Sequence, residues 1–393
     1  MKEKKEKERM LVVNLSVQKK PEFIESKRLD WVKAGADNKF FDDLIDYSNL
    51  SATHKAILQT KINGVAGGEI EYINGDDTFT PNDQETLSEL LIKAGGDLEI
   101  VGAAAIEVIW SKNRKTITEY NHIPMQNLRF EKADDFNHIA GMYYSRDWSN
   151  YRQNKPVFIP FYSEKNKTDR QVLLIRKYWA GSPYNIIPSY IGGFNYVKTD
   201  FEISKFNLNS IEKGLAPSII ISFNDGKPDP KQADAMNEMI KEKFTGSEGE
   251  KLLVLFNDNP DKAAVITELD GSKMADMYTN LSTETSQQIL TAHQLTSPAL
   301  AGIRVPGSLG TGNELLQASE LFQKNVINPD QKLLIDKMNK ILAVNGVEIK
   351  MLSSDALVSA FSEAFLLKTI DLNERRDLIG YEEVEVEQIK EEE

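Results

Sequence analysis

The chain is predicted to fold as an α+β protein of several modules, on three observations. Two long helical patterns flank a Gly/Pro-rich break between Leu281 and Ala343. Runs of β-forming residues alternate with turn residues from Ala103 to Tyr120. The 393 residues, 40% hydrophobic and 27% charged, exceed one typical core, so two or three folded modules are expected.

In chain order, Ser51 reads as the N-cap of a helix through His54, Ile57, Leu58 and Ile62, stopped at Gly64 and Gly67-Gly68. A second helix follows Thr80-Pro81, with Leu87, Leu90, Leu91 and Ile92 on its apolar face and Gly95-Gly96 as its stop. Ala103–Trp110 and Thr116–Tyr120, parted by Lys112-Asn113-Arg114, form a hairpin pattern. From Met125 to Tyr184 aromatic and basic residues interleave, a pattern shared by base-stacking surfaces and half-buried strands, and a β-rich continuation is expected.

Phe194, Val197, Phe201, Leu208 and Ile211 then mark a helical face ended by Gly214. A small insert follows: a strand at Pro217–Phe223, the turn Asn224-Asp225-Gly226, and a helix opened by Asp229-Pro230 with Lys241 and Lys243 in its second half. A strand pair at Lys251–Phe256 and Ala263–Leu269 closes it. After the break, apolar residues from Leu316 to Leu342 recur at three- and four-residue steps, and Pro329 predicts a kink near Asn328–Asp330. The first eight residues and Glu382–Glu393 are charge blocks read as solvated tails.

Composition limits the chemistry. With no cysteine, disulfides, thiolate catalysis and cysteine zinc sites are excluded. No apolar run approaches a bilayer span and the N-terminal patch Met10–Leu15 is short, so neither export nor membrane insertion is expected. A formal charge of −13 opposes a broad nucleic-acid grip, though not a protein that DNA passes through.

Gly302 and Gly307 have phosphate-loop spacing, but Ser308-Leu309 stand where a lysine and a hydroxyl are required. Gly310-Thr311-Gly312 lacks the third glycine of a dinucleotide fingerprint. Asn257–Glu268 mimics a calcium loop but has Lys262 at the glycine position. The four histidines are scattered, with no pair at helical spacing. No catalytic residue, metal or cofactor is therefore assigned.

The segments in this order resemble the portal, or head-tail connector, proteins of tailed bacteriophages. The resemblance is carried by Gly214 with Pro217–Ser222, Gly249–Leu255, Ile289–Gly302, Asn313-Glu314, Phe322–Gln331, Leu372–Arg376 and Gly380-Tyr381, and it covers roughly residues 50 to 381. It implies a portal-like architecture: an N-terminal arm at 1–49, an α/β wing at 50–188, stem helices at 189–213 and 273–297, and a clip at 214–272. A tunnel loop at 298–313, a long kinked helix at 314–343 and a C-terminal wing or small crown at 344–393 complete it.

The same resemblance implies roles for residues. Gly302, Ile303, Arg304, Val305, Pro306, Gly307, Gly310, Gly312 and Asn313 would form the DNA-facing loop, and Asn224, Asp225, Lys241 and Lys243 the clip that contacts motor or adaptor. Arg304 carries the one full charge between His293 and Glu314, and either faces the lumen or pairs with a neighbouring carboxylate.

The implied partners are further copies of the chain, in a ring of about twelve, double-stranded DNA, the terminase large subunit, the major capsid protein and a head-tail adaptor. Assembly would take place in the host cytoplasm and the protein would end at one vertex of the virion. Two other readings stay open: a cytoplasmic α+β enzyme with 298–312 as an active-site lid, or another minor virion assembly protein.

Overall fold

The computed structural model describes residues 22–75, 77–212, 219–223, 252–256, 271–303 and 312–352. Helices and strands are both present, in two compact units that interleave along the chain. The first is drawn from residues up to Asp46 and from Val101–Ile187, the second from Tyr47–Ile100 and from Pro188 onward. The segment 50–188, a single module by sequence, is thus divided at residue 100.

In the first unit β1 (Phe23–Ile24) pairs antiparallel with β2 (Lys33–Ala34), and α1 (Phe40–Leu50) begins here. The main sheet has β4 (Ala103–Trp110) between β5 (Ile117–Ile123) and β9 (Arg170–Arg176), both antiparallel to it. β4 reads AAAIEVIW and seven of its eight residues are buried, as a central strand covered on both sides requires. A second antiparallel sheet orders β6 (Leu128–Phe130), β7 (Gly141–Tyr144) and β8 (Val157–Pro160).

The interleaved aromatic and basic residues serve this core. Arg129 is 1% exposed, and its guanidinium lies 5.1 Å from the Phe41 ring and 5.0 Å from the Trp148 ring. Its Nε donates to Asn38 Oδ1 at 2.7 Å, and its terminal nitrogens donate to the carbonyls of Gln126, Leu128 and Asn38. Burial lowers its pKa to about 10, so it stays charged at neutral pH and needs those acceptors.

The second unit is mainly helical: α2 (Ala52–Ala66), α3 (Leu87–Ile100), α4 (Phe194–Glu212), α5 (Gly271–Ala292), α6 (Gly312–Phe322) and α7 (Asn328–Leu342). β3 (Ile70–Asn74) pairs antiparallel with β12 (Glu348–Met351). Between α4 and α5, β10 (Ile219–Phe223) and β11 (Leu252–Phe256) pair in parallel, Ile219 beside Leu252 through Phe223 beside Phe256. A parallel pair needs a long crossover. The strand at Ala263–Leu269 and the insert's helix lie outside the described residues.

Two expectations are corrected. Gly95-Gly96 does not stop α3, which continues to Ile100 before Gly102 turns the chain at φ 95°. A Cβ on Gly95 would come within 2.6 Å of the Ala66 Cβ, so the glycine is there to let α3 lie against α2. Gly64 likewise sits inside α2, in contact with Ile327.

The second correction concerns Pro329, where the irregularity lies one turn earlier, as a π-helical stretch at Gln323–Ile327 joining α6 to α7. Pro329 offers no N–H, and in a regular α-helix its ring would press on the carbonyl four residues back. The wider turn relieves this, with the Asn328 N–H donating to the Gln323 carbonyl five residues back. It also sets the phase of the two helices. Phe322 and Ile327 would lie about 140° apart on an α-helix, yet both are buried, in line with Leu334, Met338 and Ile341 of α7.

Candidate functional site

The region with the most unusual chemistry is the connection from α5 to α6 and the buried polar cluster at its base, all within the second unit. α5 ends at Ala292, and Gln294 takes a left-handed conformation at φ 57°. Pro298–Ala301 then forms a 3-10 turn capped by Gly302 at φ 69°, with the Ile303 N–H donating to the Pro298 carbonyl at 3.0 Å. The first third of the predicted loop is therefore ordered by its own hydrogen bonds.

Of the site residues read from sequence, Gly302 and Ile303 close this turn, and Gly312 and Asn313 open α6. Arg304, Val305, Pro306, Gly307 and Gly310 lie outside the described residues, as do Asn224, Asp225, Lys241 and Lys243. Pro329 lies in the first turn of α7.

Beneath the turn, α2 presents a polar row along its buried side. Ser51 caps the helix, its Oγ accepting from the His54 N–H at 3.2 Å and donating to Asp200 Oδ2 of α4 at 2.6 Å. His54, wholly buried, meets His293 just past α5, with Nδ1 and Nε2 2.8 Å apart. The Tyr190 ring packs edge-on to His54 and stacks on His293, and its hydroxyl donates to the Ile100 carbonyl at 2.6 Å. Two turns further along α2, Lys61 pairs with Glu99 of α3, both within 1% of full burial, and approaches Ser189 Oγ at 3.4 Å.

The electrostatics follow from burial. Desolvation, with a smaller contribution from the Lys61 charge, lowers the His54 pKa to about 3. Burial, helped by the Glu99 charge, raises that of Tyr190. Both groups are held neutral across the physiological range, away from the values that favour proton transfer at neutral pH. The cluster is a hydrogen-bonded clamp that ties α3, the start of α4 and the end of α5 to α2. Among the described residues no three His, Asp or Glu side chains are grouped to hold a metal ion, and no helix is long and apolar enough to cross a membrane.

Sequence reading missed this cluster because His54 and His293 are 239 positions apart. One signal was present. His54 and Lys61 share the side of α2 that carries Ile57, Leu58 and Val65, and polar residues on an apolar face call for buried partners.

Gly192-Gly193, a weak helix start by propensity, also has a packing reason. A Cβ on Gly193 would overlap the Ala292 Cβ, so only glycine lets the start of α4 meet the end of α5. Gly193→Ala should lower stability by about 1–3 kcal/mol, read as a fall in denaturation midpoint. Gly192→Ala, where nothing lies within 4 Å of the added carbon, should leave it unchanged or slightly raised. Equal effects of the two would refute the packing account.

Compared with known proteins, the chain matches no family model and no curated protein. Solved structures do match. A chain in the neck of an empty gene transfer agent (GTA) particle, computed with C6 symmetry, aligns at TM-score 0.54 with 13% identity, over 87% of this chain and 94% of that one. A chain in the neck of the native particle, computed with C12 symmetry, aligns at 0.53 with the same identity and coverage. An HK97-family phage portal protein from Corynebacterium diphtheriae aligns at 0.42 with 11% identity, over 83% and 97% of the two chains, too loosely to carry an argument. The chain has the fold of the particle-neck chains.

Proposed function

We propose that this chain is a portal protein. About twelve copies form a ring at one capsid vertex, giving double-stranded DNA its channel during packaging and ejection and providing the docking site for the packaging motor and the head-tail adaptor. The observation that carries the reading is the likeness in fold, over most of both chains, to a protein of a particle neck. The order of helix, small insert, helix, Gly/Pro loop and long interrupted helix supports it.

In this reading α4 and α5 are the stem, β10 and β11 belong to the clip, residues 298–313 are the tunnel loop, and the wing draws on both units. The exposed side of α5 suits a wall that lets a polyanion slide. Thr279, Thr283, Gln287 and Thr291 form an uncharged row at four-residue steps. Thr283 and Thr291 donate their hydroxyls to the carbonyls of Thr279 and Gln287, so those protons are engaged within the helix. An active-site lid over the clamp would instead call for groups tuned toward neutrality, and His54 is shifted the other way.

Arg304 is assigned to the lumen, where it touches passing phosphates. Arg304→Glu in particles assembled with the cognate capsid and motor should leave heads intact and reduce packaged DNA at least tenfold. Full packaging by that variant removes Arg304 from the mechanism, and heads that fill normally with the whole chain deleted overturn the portal reading.

A further inference from the structure

The sheet β6-β7-β8 of the first unit carries two unlike ends. At one end, residues 131–140 connect β6 to β7 and present Phe136 with 90% of its surface exposed. That aromatic does not sit on a loose loop. Asp134 Oδ1 accepts from the N–H groups of Phe136 at 2.9 Å and His138 at 2.8 Å, and the Asp134 and Asn137 N–H groups close the turn on the His138 and Asp134 carbonyls. Glu131 Oε2 accepts from the Ala140 N–H, and the Tyr184 hydroxyl accepts from the Ala133 N–H. A large aromatic fixed in place before binding loses little entropy on docking, the usual property of an interface anchor.

The connection is acidic, with Glu131, Asp134 and Asp135 against Lys132. The opposite end has the complementary character. Residues 145–156, from β7 to β8, carry Arg146, Arg152 and Lys155 against Asp147. They lead into Val157 and Phe158, which are 52% and 39% exposed at the start of the outer strand β8.

The register separates the two ends. Gly141 pairs with Pro160 beside the Phe136 connection, while Tyr144 pairs with Val157 at the far end. Three residue steps of about 3.4 Å separate Val157 from that connection. The Phe158 ring leans back over Gly141, yet Phe136, with 90% of its surface exposed, is not covered by it within the same copy. A surface with two complementary but separated halves joins copies head to tail, and such a contact closes into a ring when the rotation allows.

We propose that Phe136 of one copy seats on the Val157–Phe158 edge of the next copy, with Asp135 facing Arg152 and Lys155. This rests on the ring reading above and names the contact that builds the ring.

The chain has no cysteine, which permits a direct test. In the full chain, the double variant F136C/V157C should give, on mild oxidation, a ladder of covalent multimers on a non-reducing gel. Two cysteines at opposite ends of one sheet are too far apart to bridge within a copy. F136C and V157C alone should stay at the position of the single chain. Asp135→Lys should lower the ladder yield severalfold in the double variant, and adding K155E should restore it.

A ladder from the double variant supports the contact even if wild type forms no closed ring, in which case the ring reading alone fails. Wild-type rings without a ladder overturn the contact and leave the ring reading standing. Dimers from F136C alone, or multimer formation only when another virion protein is added, also overturn it.

Discussion

Replacing Lys61 by methionine lowers the stability of the chain by about 3–5 kcal/mol, the cost of removing one partner from a buried ion pair. Lys61 and Glu99 are exposed by 1% and 0% respectively, so the carboxylate left behind has no access to water. The stem of lysine is matched by methionine, and packing changes little. The loss comes from a buried carboxylate deprived of its lysine counter-charge, and a second substitution should therefore relieve part of it: K61M/E99L should be more stable than K61M, because the apolar pair needs no counter-charge. Denaturant unfolding of the four proteins in a double-mutant cycle gives the coupling directly. A K61M unfolding free energy within about 1 kcal/mol of wild type would mean that the pair does not hold α2 to α3.

Acid should weaken the same clamp through His54. Its folded-state pKa of about 3 lies below the ordinary 6.5, so the unfolded chain binds the proton more readily. The contribution of this group to stability is complete above pH 6.5 and is lost as the pH falls from there toward 3, at about 1.4 kcal/mol per pH unit. H54Q cannot titrate and should show a flatter profile between pH 6.5 and 4. The other charged and titratable groups around the cluster, Lys61, Glu99, Asp200, Tyr190 and His293, remain in that variant. His293 is hydrogen-bonded to His54, so the difference between the two curves reports the His54–His293 pair. Parallel curves would place His54 in contact with water, contrary to its burial.

The structure explains which parts of this fold were legible in the sequence. The helix after Ser51 could be read because its cap and its apolar spacing are local properties. β4 and β5 were legible for the same reason, alternating with turn residues over a short span. Glycine misled where its role was tertiary. Gly95 and Gly64 read as stops, yet each makes room for a neighbour, Ala66 and Ile327, that no local pattern reveals. Proline was legible as an interruption, but its form as a π turn depends on keeping Phe322 and Ile327 on one buried side. The parallel pairing of β10 and β11 and the meeting of His54 with His293 depend on contacts far apart in sequence, which spacing arguments cannot reach.

The portal reading depends most directly on a ring. Negative-stain imaging of the purified full chain, with its mass in solution measured in parallel, should show closed rings of about a dozen copies around a hole wide enough for duplex DNA. A uniform monomer or dimer at every salt and protein concentration tried would contradict it.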